Sequence, residues 1–215
     1  EKQIAHHFAL VSSLAYKDLD KNVEEEFGLL GYTNVKFFSK NGAQGYVLSN
    51  KEKIVVAFRG TQPDQVSDIL ADIKSFHNEG FHSGFLKEYR KLEVAVHVEV
   101  ALQQKKDKKP LYITGHSLGA AMASICAFNM PDAIALYTYG CPRNASWFKA
   151  KELTVPHFRI VNNNDVVTKI PLVTMGFKHH GDLCYINYYG NIRKMSYWQR
   201  IKDSYRGRKQ AWKKG

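Results

Sequence analysis

The chain has 215 residues, 44% apolar and 24% charged, a size and balance suited to one domain with a real core. That composition excludes a disordered tail, a collagen-like repeat and a disulfide miniprotein, and no apolar run reaches the roughly 18 residues that a membrane-crossing helix needs. Lys and Arg number 31 against 20 Asp and Glu, a formal charge of +11, which points to an anionic surface, nucleic acid or membrane.

The charge is concentrated at one end. Residues 190–215 carry nine basic side chains and a single acid, Asp203, so this segment holds +8 of the +11. The rest of the chain is close to neutral. Three cysteines, Cys126, Cys141 and Cys184, make an odd count. That argues against a secreted disulfide framework and leans the expectation towards a cytoplasmic or peripheral-membrane protein. The opening Glu1-Lys2-Gln3 has no Met and looks trimmed, which leaves a removed signal peptide open.

In chain order, Ile4, Phe8, Val11 and Tyr16 predict an amphipathic N-terminal helix. Strand-like runs follow at 35–38, 46–48 and 54–58, the last continuous and apolar as in a strand buried on both faces. Residues 83–104 repeat apolar side chains at helical spacing through Phe85, Tyr89, Leu92, Val96 and Val100. A charged turn ends that helix. Residues 111–114 then read as a strand, 120–128 as a helix, 134–139 as a strand, 147–151 as helical and 158–161 as a strand. Strand and helix in alternation predict an α/β protein with a mainly parallel sheet covered on both faces. Chemistry in such folds gathers at the carboxyl ends of the strands.

The most informative stretch is Gly115-His116-Ser117-Leu118-Gly119, a G-x-S-x-G pattern between a strand and a helix. A sharp strand-to-helix turn forces its central serine into a strained backbone conformation. Strand and helix nearly touch there, so the residues two positions away need to lack side chains. A plain Gly-rich turn with an N-capping serine would show the same letters. The strand before it and the small-residue helix after it favour a nucleophile.

With its neighbours this segment resembles the class 3 lipases, relatives of the fungal triacylglycerol lipases within the α/β-hydrolase fold. Gly115 to Ala121 is similar to their active-serine segment, and Phe58-Arg59-Gly60-Thr61 to their oxyanion segment. Phe81-His82-Ser83-Gly84-Phe85 resembles the opening of their long helix. Tyr139-Gly140-Cys141-Pro142-Arg143 and Val161-Asn162-Asn163-Asn164-Asp165-Val166-Val167 complete an ordered set. The resemblance implies a single α/β-hydrolase domain over 1–215, with a helical lid at 62–77 and a basic C-terminal segment at 190–215. It implies hydrolysis of fatty-acid esters such as acylglycerols through an acyl-enzyme on Ser117.

A serine hydroxyl needs a base, and the base needs an acid, in the chain order Ser, Asp, His for this fold. Asp165, just past the 158–161 strand, is the expected acid; polar-turn chemistry alone would also explain it. Oxyanion donors are expected from the backbone N–H of Leu118 and, on the resemblance, from Thr61. In the lid segment Val66, Ile69, Leu70, Ile73 and Phe76 share one helical face and Asp64, Asp68 and Asp72 the other, an arrangement suited to covering an apolar pocket.

The histidine is missing. Of nine histidines only His179 and His180 follow Asp165, and the resemblance places His179 at a position other than the base. The base is expected beyond residue 215, with His180 or His179 as the fallback. The short joins at Arg143-Asn144 and at His77 to Gly80 read as places where residues have been omitted. In the tail, Met195, Trp198, Ile201 and Tyr205 recur near helical spacing among basic residues. That suits a helix lying on a membrane or lipid-droplet surface, or a terminal helix packed on the body. No metal, cofactor or nucleic-acid partner is expected. The rival to an active esterase is a catalytically impaired hydrolase-fold protein that binds anionic membranes.

Overall fold

The computed structural model describes residues 2–60 and 77–214, with side chains as far as Lys209. Thr61 and all of the 62–77 lid except His77 therefore lie outside the described residues.

The chain enters as helix α1 (Lys2–Leu14), with Phe8 and Val11 turned inward. A second helix, α2 (Lys21–Leu29), follows. The sequence reading missed it because only Val23 and Phe27 carry its apolar face. Its signal was the N-cap: Asp20 accepts from the Val23 N–H at 2.8 Å, satisfying one of the donors a helix start leaves open. Strands β1 (Asn34–Lys40), β2 (Ala43–Ser49) and β3 (Ile54–Phe58) run antiparallel to one another in order.

After the undescribed segment, β4 (His77–Asn78) and β5 (Phe81–His82) form a hairpin. Its two turn residues, Glu79 and Gly80, have φ of 54° and 83°, the signature of a tight hairpin turn. The join read as shortened is this hairpin turn. Helix α3 (Ser83–Lys106), strand β6 (Leu111–His116) and helix α4 (Leu118–Asn129) come next. Then follow β7 (Ala135–Tyr139), β8 (Ala145–Ser146), β9 (His157–Asn162), β10 (Phe177–Lys178), β11 (Asp182–Ile186) and β12 (Ile192–Arg193). Helix α5 (Tyr197–Lys214) ends the described chain. The helical expectation for 147–151 shrinks to a three-residue 3-10 turn, Lys149–Lys151.

The main sheet orders its strands β1-β2-β3-β6-β7-β9-β11-β12. The five from β3 to β11 are parallel to their neighbours. Alternation along a strand divides the core into two layers. Ile54, Val56 and Phe58 face α3 and α4, together with Ile113 and Leu136. Val55 and Ala57 face the opposite way, against Phe8 and Val11 of α1 and Phe27 of α2. Each fully buried side chain of this size contributes roughly 1.5–3 kcal/mol. Helix α4 is buried on nearly every side, which its Ala-rich sequence permits.

The tail helix packs on the body, but not through its apolar stripe. Trp198 and Tyr205, read as the helix's apolar face, are 72% and 67% exposed. The lone acid does the docking instead. Asp203 Oδ2 accepts from Asn163 Nδ2 at 2.9 Å, the Tyr188 N–H at 2.9 Å and the Tyr185 hydroxyl at 3.1 Å. A buried carboxylate needs such donors, and the β9 and β11 ends supply them.

Candidate active site

Ser117 sits between β6 and α4 with φ 56° and ψ −124°, a conformation that L residues adopt only under constraint and at a cost of order 1–3 kcal/mol. The constraint is visible on both sides. A Cβ on Gly115 would lie 2.3 Å from the Gly119 carbonyl oxygen, and a Cβ on Gly119 would lie 2.2 Å from that of Phe58. Strand, turn and helix thus touch backbone to backbone, as the motif's glycines anticipated. The Ser117 N–H donates to the Tyr139 carbonyl at 2.9 Å, tying the turn to the end of β7. Leu118 opens α4, so its N–H is one of the donors the helix leaves unused.

Asp165 lies in the turn after β9. Its N–H donates to the Asn162 carbonyl at 3.0 Å, and its Oδ1 accepts from the Val167 N–H at 2.9 Å. The other oxygen leans over Gly140. A Cβ there would be 2.6 Å from Asp165 Oδ2 and 3.5 Å from His116 Nε2. Gly140, with φ of 60°, is the gap through which Asp165 and His116 converge. The carboxyl ends of β6, β7 and β9 thus bring His116-Ser117, Gly140 and Asp165 together, at the edge where the topology predicts a site.

Sequence reasoning gave His116 no role and missed Tyr16 as its partner. His116 Nδ1 and the Tyr16 hydroxyl are 2.6 Å apart. Burial lowers the His116 pKa, while the Asp165 carboxylate pulls it up. Burial pushes the Tyr16 phenol up to about 12, against the opposing Arg59. Gly60 closes the floor: a Cβ there would strike the Tyr16 hydroxyl at 2.2 Å and the His116 carbonyl at 2.5 Å. The sequence held no signal for this pair, since the residues are 100 positions apart.

The fallback histidines do not serve. His180 Nε2 lies 2.8 Å from Ser124 Oγ and 3.2 Å from Asn144 Oδ1, and its Nδ1 lies 2.9 Å from His157 Nδ1. Ser124 is 0% exposed, so this is an interior network with no access to substrate. His179 Nε2 donates to the Thr168 carbonyl at 2.7 Å. Burial, with nearby Arg159, holds His179 down to about 3 and His180 down to about 4. Among the described residues, no histidine is hydrogen-bonded to the Ser117 hydroxyl.

A strained serine at the end of a parallel strand, with a carboxylate two strands further along the sheet, defines the α/β-hydrolase class of fold. Solved structures agree. A triacylglycerol lipase described as having a serine-protease triad at its catalytic centre superposes with a TM-score of 0.76 at 23% identity, covering 86% of this chain and 80% of that one. The family model for lipase (class 3) matches residues 55–175, and the chain belongs to that family. A secreted mono- and diacylglycerol lipase of Fusarium solani is 29% identical over 163 residues, 66% of this chain and 46% of its own length. A secreted mono- and diacylglycerol lipase of Penicillium cyclopium is 35% identical over 142 residues, 59% of this chain and 45% of its own. The chain thus matches less than half the length of these relatives.

Both relatives are named as secreted, which overturns the lean towards a cytoplasmic or peripheral-membrane protein. The cysteine argument behind that lean had little force. Two of the three cysteines, Cys126 and Cys141, are buried core residues, and burial accounts for them in any compartment.

Proposed function

We propose that the protein hydrolyses carboxylic esters of fatty acids, acylglycerols in particular, through an acyl-enzyme on Ser117. The observation that carries this reading is the strained Ser117 turn, whose preceding residue His116 converges with Asp165 over Gly140. In the proposed reaction the Ser117 hydroxyl attacks the ester carbonyl, and the oxyanion forms at the N-terminus of α4, where the Leu118 N–H and the helix dipole meet it. Thr61 supplies the second donor on family resemblance alone. Asp165 holds the base in its correct tautomer and stabilises its cationic form. The base is a histidine from outside residues 1–215. The base takes the Ser117 proton and passes it to the ester's alkoxy oxygen, so that the C–O bond breaks and the alcohol leaves. Water, deprotonated by the same base, then attacks the acyl-enzyme and releases the fatty acid and free Ser117. The relatives' names, which specify mono- and diacylglycerols, support the substrate class.

The test is fluorophosphonate labelling of the intact protein and of residues 1–215, with Ser117→Ala as control. Labelling of the intact protein alone, lost in the variant, is the expected result. Labelling that survives Ser117→Ala overturns the reading.

One observation favours a surface role beside catalysis. Tyr197, Trp198 and Tyr205 are well exposed on α5, among the basic residues of the tail. Aromatic and basic side chains on one helix suit a membrane or droplet interface. Flotation with anionic vesicles tests this, and loss of binding in Trp198→Ala is the expected outcome.

A further inference from the structure

Away from Ser117 and Asp165, helix α5 roofs a cavity of about 440 Å³ over strands β9 and β11. Its charge is one-sided. Arg143, Arg159, Lys169, Arg200 and Arg208 line it, and among the described lining residues there is no Asp or Glu. Arg159 is only 9% exposed, and its Nε has no hydrogen-bond partner among the described residues. The Nε of Arg200, reaching in from α5, is likewise buried and unpartnered.

Strand register explains how an arginine comes to be stranded there. Arg159 is paired in β9 with Leu183 of β11 and with Thr138 of β7, so neither cross-strand neighbour on its own face of the sheet carries a charge. Arg143 is partly spent elsewhere, donating from Nη1 to the Pro171 carbonyl at 2.9 Å. Asp203, the nearest acid along α5, is held by Tyr185, Tyr188 and Asn163. His179, at the same cavity, is half-buried and bonded to the Thr168 carbonyl. Among the described residues that line the cavity, no carboxylate faces these arginines. A buried guanidinium without an anion is costly, and its planar fork matches the oxygens of a phosphate.

We propose that this cavity is a binding site for a phosphate group, held chiefly by Arg159 and Arg200. Four guanidiniums around one space exceed what a single carboxylate needs and suit the double charge of a phosphate. The cavity is larger than the anion itself, and Val161, Leu183 and Ile201 give an organic substituent an apolar wall. Free inorganic phosphate and a phospholipid headgroup share this chemistry. The proposal is independent of the esterase reading, because neither Ser117 nor Asp165 lines the cavity.

Calorimetric titration of the intact protein with sodium phosphate, at constant ionic strength against chloride, tests it. Flotation with phosphatidylcholine vesicles, with and without phosphatidic acid, separates the two sources. We expect phosphate to bind with a Kd below about 1 mM, and Arg159→Gln and Arg200→Gln each to weaken binding at least ~10-fold. Arg206→Gln, an exposed charge outside the cavity, controls for general attraction and should leave phosphate binding unchanged. Binding to phosphatidic acid vesicles without binding of free phosphate, lost in Arg200→Gln and kept in Arg206→Gln, assigns the site to a headgroup. If Arg159→Gln does not fold, Arg200→Gln decides the matter. Absence of binding in both arms overturns the proposal, as does equal loss in Arg200→Gln and Arg206→Gln.

Discussion

His157 and His180 face each other with their Nδ1 atoms 2.9 Å apart in the protein interior. One of these nitrogens donates and the other accepts, so the accepting ring cannot be protonated there without breaking the contact. Burial is the main cause that drives both pKa values down, with Arg159 adding to it, and His180 falls to about 4. In the unfolded chain each would protonate near the ordinary value of 6.5. Between those values the unfolded state binds more protons, so stability falls as pH drops. The urea midpoint is expected to decline from pH 7 towards pH 4, and His157→Gln is expected to flatten that decline. A midpoint independent of pH across this range would refute the assignment.

Ser124 and Asn144 complete that network, with Asn144 Nδ2 donating to Ser124 Oγ at 2.9 Å. Removing the hydroxyl takes one hydrogen-bond partner from His180 and one from Asn144. Ser124→Ala is expected to cost about 1–3 kcal/mol, measured by urea denaturation, while fluorophosphonate labelling of Ser117 persists. Loss of labelling in a folded Ser124→Ala protein would make Ser124 more than structural.

The turn at Ser117 stores strain that glycine would release. Ser117→Gly is expected to raise stability by about 1 kcal/mol, the scale of a single unfavourable φ, while abolishing labelling. Gly119→Ala acts oppositely, because its Cβ meets the Phe58 carbonyl oxygen at 2.2 Å. Backbone on both sides leaves no side chain to yield, and the cost should reach at least about 3 kcal/mol. Thermal melts of the two variants against wild type decide both points.

Asp165→Asn keeps the shape of the turn and an oxygen for the Val167 N–H. Ester hydrolysis is expected to fall by roughly 10³–10⁴, as when a triad acid loses its charge, with the melting temperature changed little. A rate within about tenfold of wild type would remove Asp165 from the proposed machinery.

Asp203 is the anchor of α5. Asp203→Ala would leave the buried Tyr188 N–H and Tyr185 hydroxyl without this acceptor, at about 1–3 kcal/mol. Hydrogen exchange across 197–209 should accelerate while β6 and α4 stay protected. Unchanged protection in α5 would mean that other contacts hold it.

The sheet and its motif were legible because their signals are local. A continuous apolar run such as Ile54 to Phe58 has few alternatives to a buried strand, and Gly115 and Gly119 record a backbone contact only five residues wide. Asp165 was legible by its place after a strand. Helix α2 escaped because two apolar residues make a weak period, and its clearest mark was the cap at Asp20. The apolar stripe of α5 left two readings open, a lipid surface or the protein body. Periodicity shows that a helix has an apolar face but not that the body has a face to receive it.

The sequence by itself determined the class of fold, the serine turn and the family, since each rests on short-range steric and hydrophobic constraints. Tertiary structure alone decided which polar groups meet. It set Tyr16 against His116, gave His180 to Ser124 and His157, and turned Asp203 inward. It also placed Leu183 beside Arg159, at a cavity lined by no acid among the described residues. These partners are far apart in the chain, and hydrogen bonds and ion pairs act over a few ångströms of space. Only the register of neighbouring strands and the docking of helices bring them within reach.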